Sequence, residues 1–196
     1  MPELNGMHGP YPALVDKFKD QNLIIVAGGR CVWEDLALFG CRGDSNNGWH
    51  VMCVNDIVMH YPGKVDHMYT NDHRMMEHWL KARRPLLTRK WATVKYTHSC
   101  RVGGKYSWPW PGHGTSGLNA VYTGLAMGYE KIVLCGMPLD NSGHYFEPPW
   151  VISNFANEVG VREDGTMMYW HNANQKLFGG RVKSMSGRTR DLLGAP

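Results

Sequence analysis

Thr115 and Ser116, inside the run GHGTSG (112–117), have the types and spacing to hold an anion. Glycines beside them allow close backbone approach, and two hydroxyls are at hand. The sequence that follows reads as a helix, whose first N–H groups would point outward with the helix dipole behind them. The same Thr or Ser serves equally as an ordinary N-cap, worth about 1 kcal/mol, and both readings use the same N–H groups. A second candidate is AGGR (27–30), where Gly28 and Gly29 make a tight turn and Arg30 adds a cation that could meet a phosphate. Asn55, closing CVND, could cap a turn or hydrogen-bond a ribose or phosphate. Neither standard nucleotide motif is present, because GGRCVWED lacks GxGxxG and no GxxxxGK[ST] occurs.

Ten histidines invite a metal, yet there is no HExxH, and His73 and His78 stand five apart, off a common helix face. Asp66, Asp72 and Asp140 could gather at a sheet edge around Mg²⁺, although their spacing does not require it. His171, in MMYWHNANQ, falls on an expected helix; a lone His is more often structural, and His113 and His144 are read the same way. The basic runs KARR, TRK and GRTR are short and scattered, and read as solvated faces rather than a nucleic-acid surface.

The elements that must position these residues follow from periodicity. LIIVAGG (23–29) and KIVLCGM (131–137) are continuous apolar runs, as strands buried on both faces would be. Further strands are expected at 50–56, 64–72, 91–99 and 181–186, and helices at 13–20, 31–39, 75–84, 115–127 and 167–178. In the 115–127 helix, Leu118, Val121, Tyr122, Leu125 and Ala126 share one face. Strands alternating with helices predict a three-layer, Rossmann-like α/β sandwich with a mainly parallel sheet. Ligands of such sheets lie beyond the carboxyl ends of the strands, where the strand order reverses. Gly28–Gly29, Asn55–Asp56, Asn71–Asp72, GHGTSG and the loop after 138 all belong on that edge. The loops 98–114 and 138–150 are long enough to read as functional.

The chain of 196 residues is the size of one domain, expected to span 1–196. Its 43% hydrophobic and 19% charged content excludes a disordered chain, and a net charge of +4 suits an anionic ligand without suggesting a nucleic-acid binder. Five cysteines with no CxxC pair argue against a disulfide framework or Cys-based zinc, and Cys53 and Cys135 read as small buried hydrophobes. No stretch approaches the ~18 apolar residues of a membrane span, so a reduced, cytoplasmic protein is expected.

LIIVAGG, CVND and TSGLNAVYTGLAMGYEKIVLCGMPLD, followed by Tyr145 and a later His, resemble the bacterial family-42 sialyltransferases. They resemble also the related superfamily that includes archaeal 6-hydroxymethylpterin pyrophosphokinase-like proteins. The resemblance runs over roughly residues 22 to 175, and TSG-helix-GY-strand-G is its most specific part. It implies a fold that binds CMP-sialic acid without needing a metal. Gly28 and Gly29 would then approach the nucleotide, and Asn55 would contact its ribose or phosphate. Thr115, Ser116 and Gly117 would hold phosphate or carboxylate, Tyr145 would bind the leaving phosphate, and His171 would be the general base. The sequence departs from the pattern at GGRCV and at MPLD, where Asp140 stands in place of a phosphate-binding Tyr and would suit a Mg-nucleotide. The expected function is therefore a nucleotide-sugar-dependent glycosyltransferase with a CMP-type donor, an unidentified acceptor and no required cofactor. Its rivals are a Mg²⁺-dependent pyrophosphokinase using Asp72 or Asp140, and a nucleotide-binding module without catalysis. Homo-oligomerisation is left open.

Overall fold

The computed structural model describes residues 12–41, 46–83, 93–100, 105–110, 115–140, 142–148 and 163–196. The aliphatic runs become the centre of the sheet. β1 (Asn22–Val26) lies between β2 (His50–Val54) and β6 (Lys131–Cys135). Outward from β2 come β3 (His67–Thr70), β4 (Tyr96–Ser99) and β5 (Tyr106–Ser107); β7 (Val182–Ser184) flanks β6. All six pairings are parallel, in the order β5-β4-β3-β2-β1-β6-β7. The order reverses between β1 and β6, so the crevice between their carboxyl ends is the ligand position of a doubly wound sheet.

Strand alternation divides the core in two. Leu23 and Ile25 face one layer, with Leu118, Val121, Trp170 and Phe178, while Ile24 and Val26 face the other, with Val32, Leu36, Ile57 and Met76. The first layer carries α3 (Ser116–Ala126), α4 (Glu163–Ala173) and the short C-terminal α5 (Gly187–Leu193). The second carries α1 (Val32–Phe39), the 3-10 turn Asn55–Met59 and α2 (His73–Arg83).

Several expectations need correction. Residues 13–20 form only a 3-10 turn, Pro12–Leu14, followed by turns in which Asp16 and Asp20 take positive φ, which no helix can contain. Helix α3 turns the expected face to the core, Leu118 and Val121 buried and Tyr122, Leu125 and Ala126 packed partly exposed against it, but the buried face is wider and takes in Gly117, Ala120 and Gly124. At Gly124 a Cβ would stand 2.8 Å from Leu23 Cδ2, so its missing side chain lets the helix lie close on the sheet. Arg83 of KARR is fully buried, not solvated: Nη1 donates to the carbonyls of Val58 (2.6 Å) and Tyr61 (2.8 Å), and Nη2 to Gly63 (2.6 Å). Asp66 does not join Asp72 and Asp140. It precedes β3 at the amino edge, accepts from Val51 N and pairs with Lys64. The two-residue β5 and the helix α5 were outside the periodicity reading, whereas Cys53 and Cys135 are buried as expected.

Candidate functional site

The crevice at the β1/β6 switch point is assembled from glycines because two backbones meet there. Ala27 N donates to Cys135 O (2.9 Å) and Gly29 N to Gly136 O (2.8 Å), which zips the two strand ends together past the sheet. Gly136 has φ +68°, and a Cβ on it would sit 2.2 Å from Ala27 O. On Gly29 a Cβ would meet Gly136 O and Pro138 Cδ, both at 2.6 Å. The close approach that these glycines permit is thus to the protein's own loop.

That loop then turns back over β1. Leu139 holds φ 51°, and Asp140 Oδ1 accepts from Ser142 N (2.9 Å), forming an Asx turn at an exposed position. Arg30 N donates to Gly143 O (3.0 Å), Tyr145 N donates to Gly28 O (3.0 Å), and Gly29 and His144 form an isolated antiparallel bridge. The Arg30 guanidinium donates to the carbonyl of Pro148 (3.0 Å), so in this structure it straps the loop. His144 lies with Nδ1 3.2 Å from Gly28 O, and its ring stacks on Phe146. Donation of Nδ1–H to that carbonyl makes Nε2 the basic nitrogen.

Behind the crevice the turn is fastened by a buried carboxylate. Asp35 of α1 accepts from Gly136 N (2.7 Å) and from Ser186 Oγ (2.8 Å), and Cys31 Sγ stands 3.0 Å from the same hydroxyl. Burial, with Asp35 beside it, pushes the Cys31 thiol up to about 12, so this sulfur is a packing group rather than a nucleophile. From the other side, Thr189 Oγ1 donates to Met137 O (2.6 Å), and Arg188 N donates to Pro138 O (2.9 Å).

The expected anion site is placed as follows. Thr115 is the N-cap of α3, its Oγ1 accepting from Leu118 N (3.3 Å). Ser116 Oγ accepts from Asn71 N (3.2 Å), tying the α3 N-terminus to the end of β3, while a Cβ on Gly117 would touch Met137 Sδ at 2.7 Å. Residues 112–114, including His113, lie outside the described residues. Under this turn Asn119, fully buried, donates Nδ2 to Asn71 Oδ1 (3.1 Å). Asn55 takes the left-handed conformation (φ 59°) directly after β2, an uncommon state for a non-glycine residue and one enriched near functional sites.

Tyr145 is the residue that the geometry singles out. It is half-buried, edge-on to Trp33 (5.8 Å), His60 (5.4 Å) and Phe146 (5.3 Å), and its hydroxyl is buried facing the Asp56 carboxylate without a well-formed hydrogen bond to it. Burial, with Asp56 nearby, raises its pKa, so at neutral pH it remains an O–H donor. Gly28, Gly29, Arg30, Asn55, Thr115, Ser116, Gly117, Asp140 and Tyr145 therefore all lie on the carboxyl edge of the sheet. His171 lies on a different element. It is exposed in the last turn of α4, a helix that must run back toward the amino edge to start β7, and Arg181 O there accepts from Ile132 N (2.9 Å). Nothing in the sequence singles out Cys31, Asp35 or Ser186, each of which looks like an ordinary helix or loop residue.

Solved structures of the same fold exist. The sialyltransferase CstII from Campylobacter jejuni, in complex with the substrate analogue cytidine-5'-monophosphate, superposes with a TM-score of 0.61 at 12% identity, covering 90% of this chain and 85% of that one. The monofunctional alpha-2,3-sialyltransferase Cst-I from the same organism gives 0.57 at 13% identity, covering 89% and 80%. CstII with CMP-3FNeuAc gives 0.58 at 12% identity, covering 89% and 86%. At such identities the likeness establishes a shared Rossmann-like fold. No family model matches the sequence, and no curated protein sequence matches it significantly.

Proposed function

We propose that the protein is a nucleotide-sugar-dependent glycosyltransferase whose donor lies in the β1/β6 crevice. The observation that carries this reading is the buried hydroxyl of Tyr145, without a well-formed hydrogen bond and held on a loop strapped across the switch point. A phosphate oxygen accepting from that hydroxyl, with the N–H groups at the start of α3 supplying further donors, would give it the close hydrogen bond it lacks with Asp56. CMP-type donors are the first choice, because the similarly folded CstII holds CMP and CMP-3FNeuAc.

In the reaction a base removes the proton of an acceptor hydroxyl as that oxygen bonds to the anomeric carbon. The bond from that carbon to the phosphate oxygen breaks, leaving a nucleoside monophosphate and an inverted linkage. His144 is the base in this reading, because the fold brings it to the crevice with Nε2 as its basic nitrogen; His171 is the competing assignment. His144→Ala should lower kcat at least ~10²-fold with nucleotide affinity little changed, and His171→Ala should leave kcat within a few-fold. The reverse pattern would return the base to His171. For the pyrophosphokinase alternative, Asp72 accepts from Arg74 and Asp140 from the Ser142 amide, and no group of three potential ligands forms a metal site among the described residues. Calorimetric titration with CMP, UDP, GDP and ATP, each with and without Mg²⁺, tests the whole proposal. Binding of a pyrimidine nucleotide irrespective of Mg²⁺ supports it, and no binding of any nucleotide refutes it.

A further inference from the structure

Beneath the α3 layer, five polar side chains form one continuous chain of hydrogen bonds across the sheet. Trp108 Nε1 lies 3.1 Å from His98 Nδ1, and His98 Nε2 is 3.0 Å from His67 Nδ1. His67 Nε2 is 2.8 Å from Tyr129 Oη, which is 2.6 Å from His50 Nδ1. An indole nitrogen can only donate, so the direction of the whole chain is set from that end. His98 receives at Nδ1 and donates from Nε2, His67 repeats the pattern, and Tyr129 passes its own proton toward His50. Every nitrogen of His67 and His98 is engaged, and both rings are fully buried.

Protonated His98 cannot keep this arrangement, because its Nδ1–H would face the Trp108 N–H, donor against donor. Nor would the surroundings welcome the charge. Lys64 and Lys95 oppose a cation at His67, the carboxylate of Asp66 is committed to Lys64 and to Val51 N, and Lys105 lies over the neighbouring Tyr106 ring. Phe18, Tyr96, Tyr106 and Trp108 supply the ring contacts around His67 and His98, and Lys17 lies over the Tyr96 ring. The neutral form is therefore the one the closed structure accepts, and burial holds both histidines below their ordinary range.

The element on the far side of His98 is the shortest strand of the sheet. β5 is an edge strand of two residues, held by its pairing with His98 and Ser99, by Lys105 N on Thr97 Oγ1 and by Trp108 N on Ser99 O. Trp110 stacks on Trp108 (5.6 Å between ring centres) and donates to Thr123 Oγ1 of α3 (2.8 Å). We propose that the Trp108–His98 contact is an acid-released latch, which frees the segment Lys105–Trp110, and with it the brace on α3, as pH falls below neutrality. Lifting the segment gives His98 to water, where its ordinary pKa is about 6.5. The opening equilibrium then scales as 1 + 10^(6.5−pH), about 1.1 at pH 7.5 and about 11 at pH 5.5, so acidification raises it roughly tenfold.

Hydrogen exchange of the 105–110 amides, corrected for the intrinsic rate at each pH, tests this on the full chain. An opening constant about tenfold larger at pH 5.5 than at pH 7.5, with the Val51–Val54 amides opening far more rarely than the 105–110 amides at both pH values, is the expected result. His98→Gln has no titrating group and should flatten the pH dependence whatever it does to the baseline. A change below twofold in the wild-type chain, 105–110 amides that open no more often than those of β2, or an undiminished pH dependence in the Gln variant would each overturn the latch. The wild-type profile and its β2 control decide the matter even if the variant does not fold.

Discussion

Arg83→Met offers a direct test of how the crevice is held open. In the structure the Arg83 guanidinium is fully buried at the end of α2 and binds the carbonyls of Val58, Tyr61 and Gly63 at 2.6, 2.8 and 2.6 Å. Those carbonyls belong to the turn that carries Asn55, Asp56 and His60 to the ligand edge. Methionine fills much of the volume but leaves three acceptors without this donor, at about 1–3 kcal/mol each, partly offset because the buried charge goes too. A net loss of about 3–5 kcal/mol is expected, a large part of the 5–15 kcal/mol that such a domain typically holds. At about 2–4 °C per kcal/mol for this chain length, Tm should drop by about 10 °C. Lysine should recover only part of the loss, because one ammonium cannot reproduce a planar fork that meets carbonyls on two nitrogens. Urea unfolding of the three proteins measures the difference. If Arg83→Met costs less than about 1 kcal/mol, the carbonyl cage does not hold the turn and the reasoning fails.

Two further substitutions and a pH scan follow from the same packing. Gly136→Ala places a Cβ 2.2 Å from Ala27 O on backbone already at φ +68°, and should cost at least ~3 kcal/mol by denaturant titration. Gly117→Ala meets only the flexible Met137 side chain at 2.7 Å, so a loss near 1 kcal/mol is expected, and equal costs at the two sites would contradict the structure. His67 and His98 both have folded pKa values below the unfolded ~6.5, so their contribution is complete above pH 6.5 and fades as pH falls toward the folded values. Two protons taken up on unfolding amount to a loss of about 2.5 kcal/mol between pH 7 and 5.5, and His98→Gln should remove about half of it. Stability that is flat across that range would show that the two histidines are not buried neutral.

Sequence patterning made the scaffold legible and left the fastenings invisible. β1 and β6 were readable because strands covered on both faces must be apolar throughout, and the glycines after them because backbone crowding tolerates little else. Two-residue β5 had no period to detect. Arg83 was unreadable because composition places a KARR run on the surface, and only the carbonyls 20 to 25 residues upstream make its burial tolerable. The Asp35 carboxylate passes as a first-turn acid in VWED, since its partners Gly136 and Ser186 are 101 and 151 positions away. His67 and His98, 31 apart, looked like two of ten scattered histidines until adjacent strands brought their nitrogens to 3.0 Å. Polar groups that act in networks become readable only once topology supplies their neighbours.

That distinction bears on the site itself. Most of the side chains expected to touch a ligand already have partners in the protein: Thr115 holds Leu118 N, Ser116 takes Asn71 N, Asp140 closes on Ser142, and Arg30 binds Pro148 O. In the proposed reading a ligand in the crevice draws on backbone N–H groups and on the Tyr145 hydroxyl, which is buried without a well-formed hydrogen bond. Tyr145→Phe separates the roles, because a buried donor whose bond to Asp56 is poorly formed costs folding energy that Phe does not. The free variant should be as stable as the parent or more so, by up to about 1 kcal/mol, while its affinity for a bound nucleotide falls about tenfold or more. A variant that is destabilised yet binds nucleotide unchanged would mean that this hydroxyl serves the fold, and the phosphate would have to be sought elsewhere on the edge.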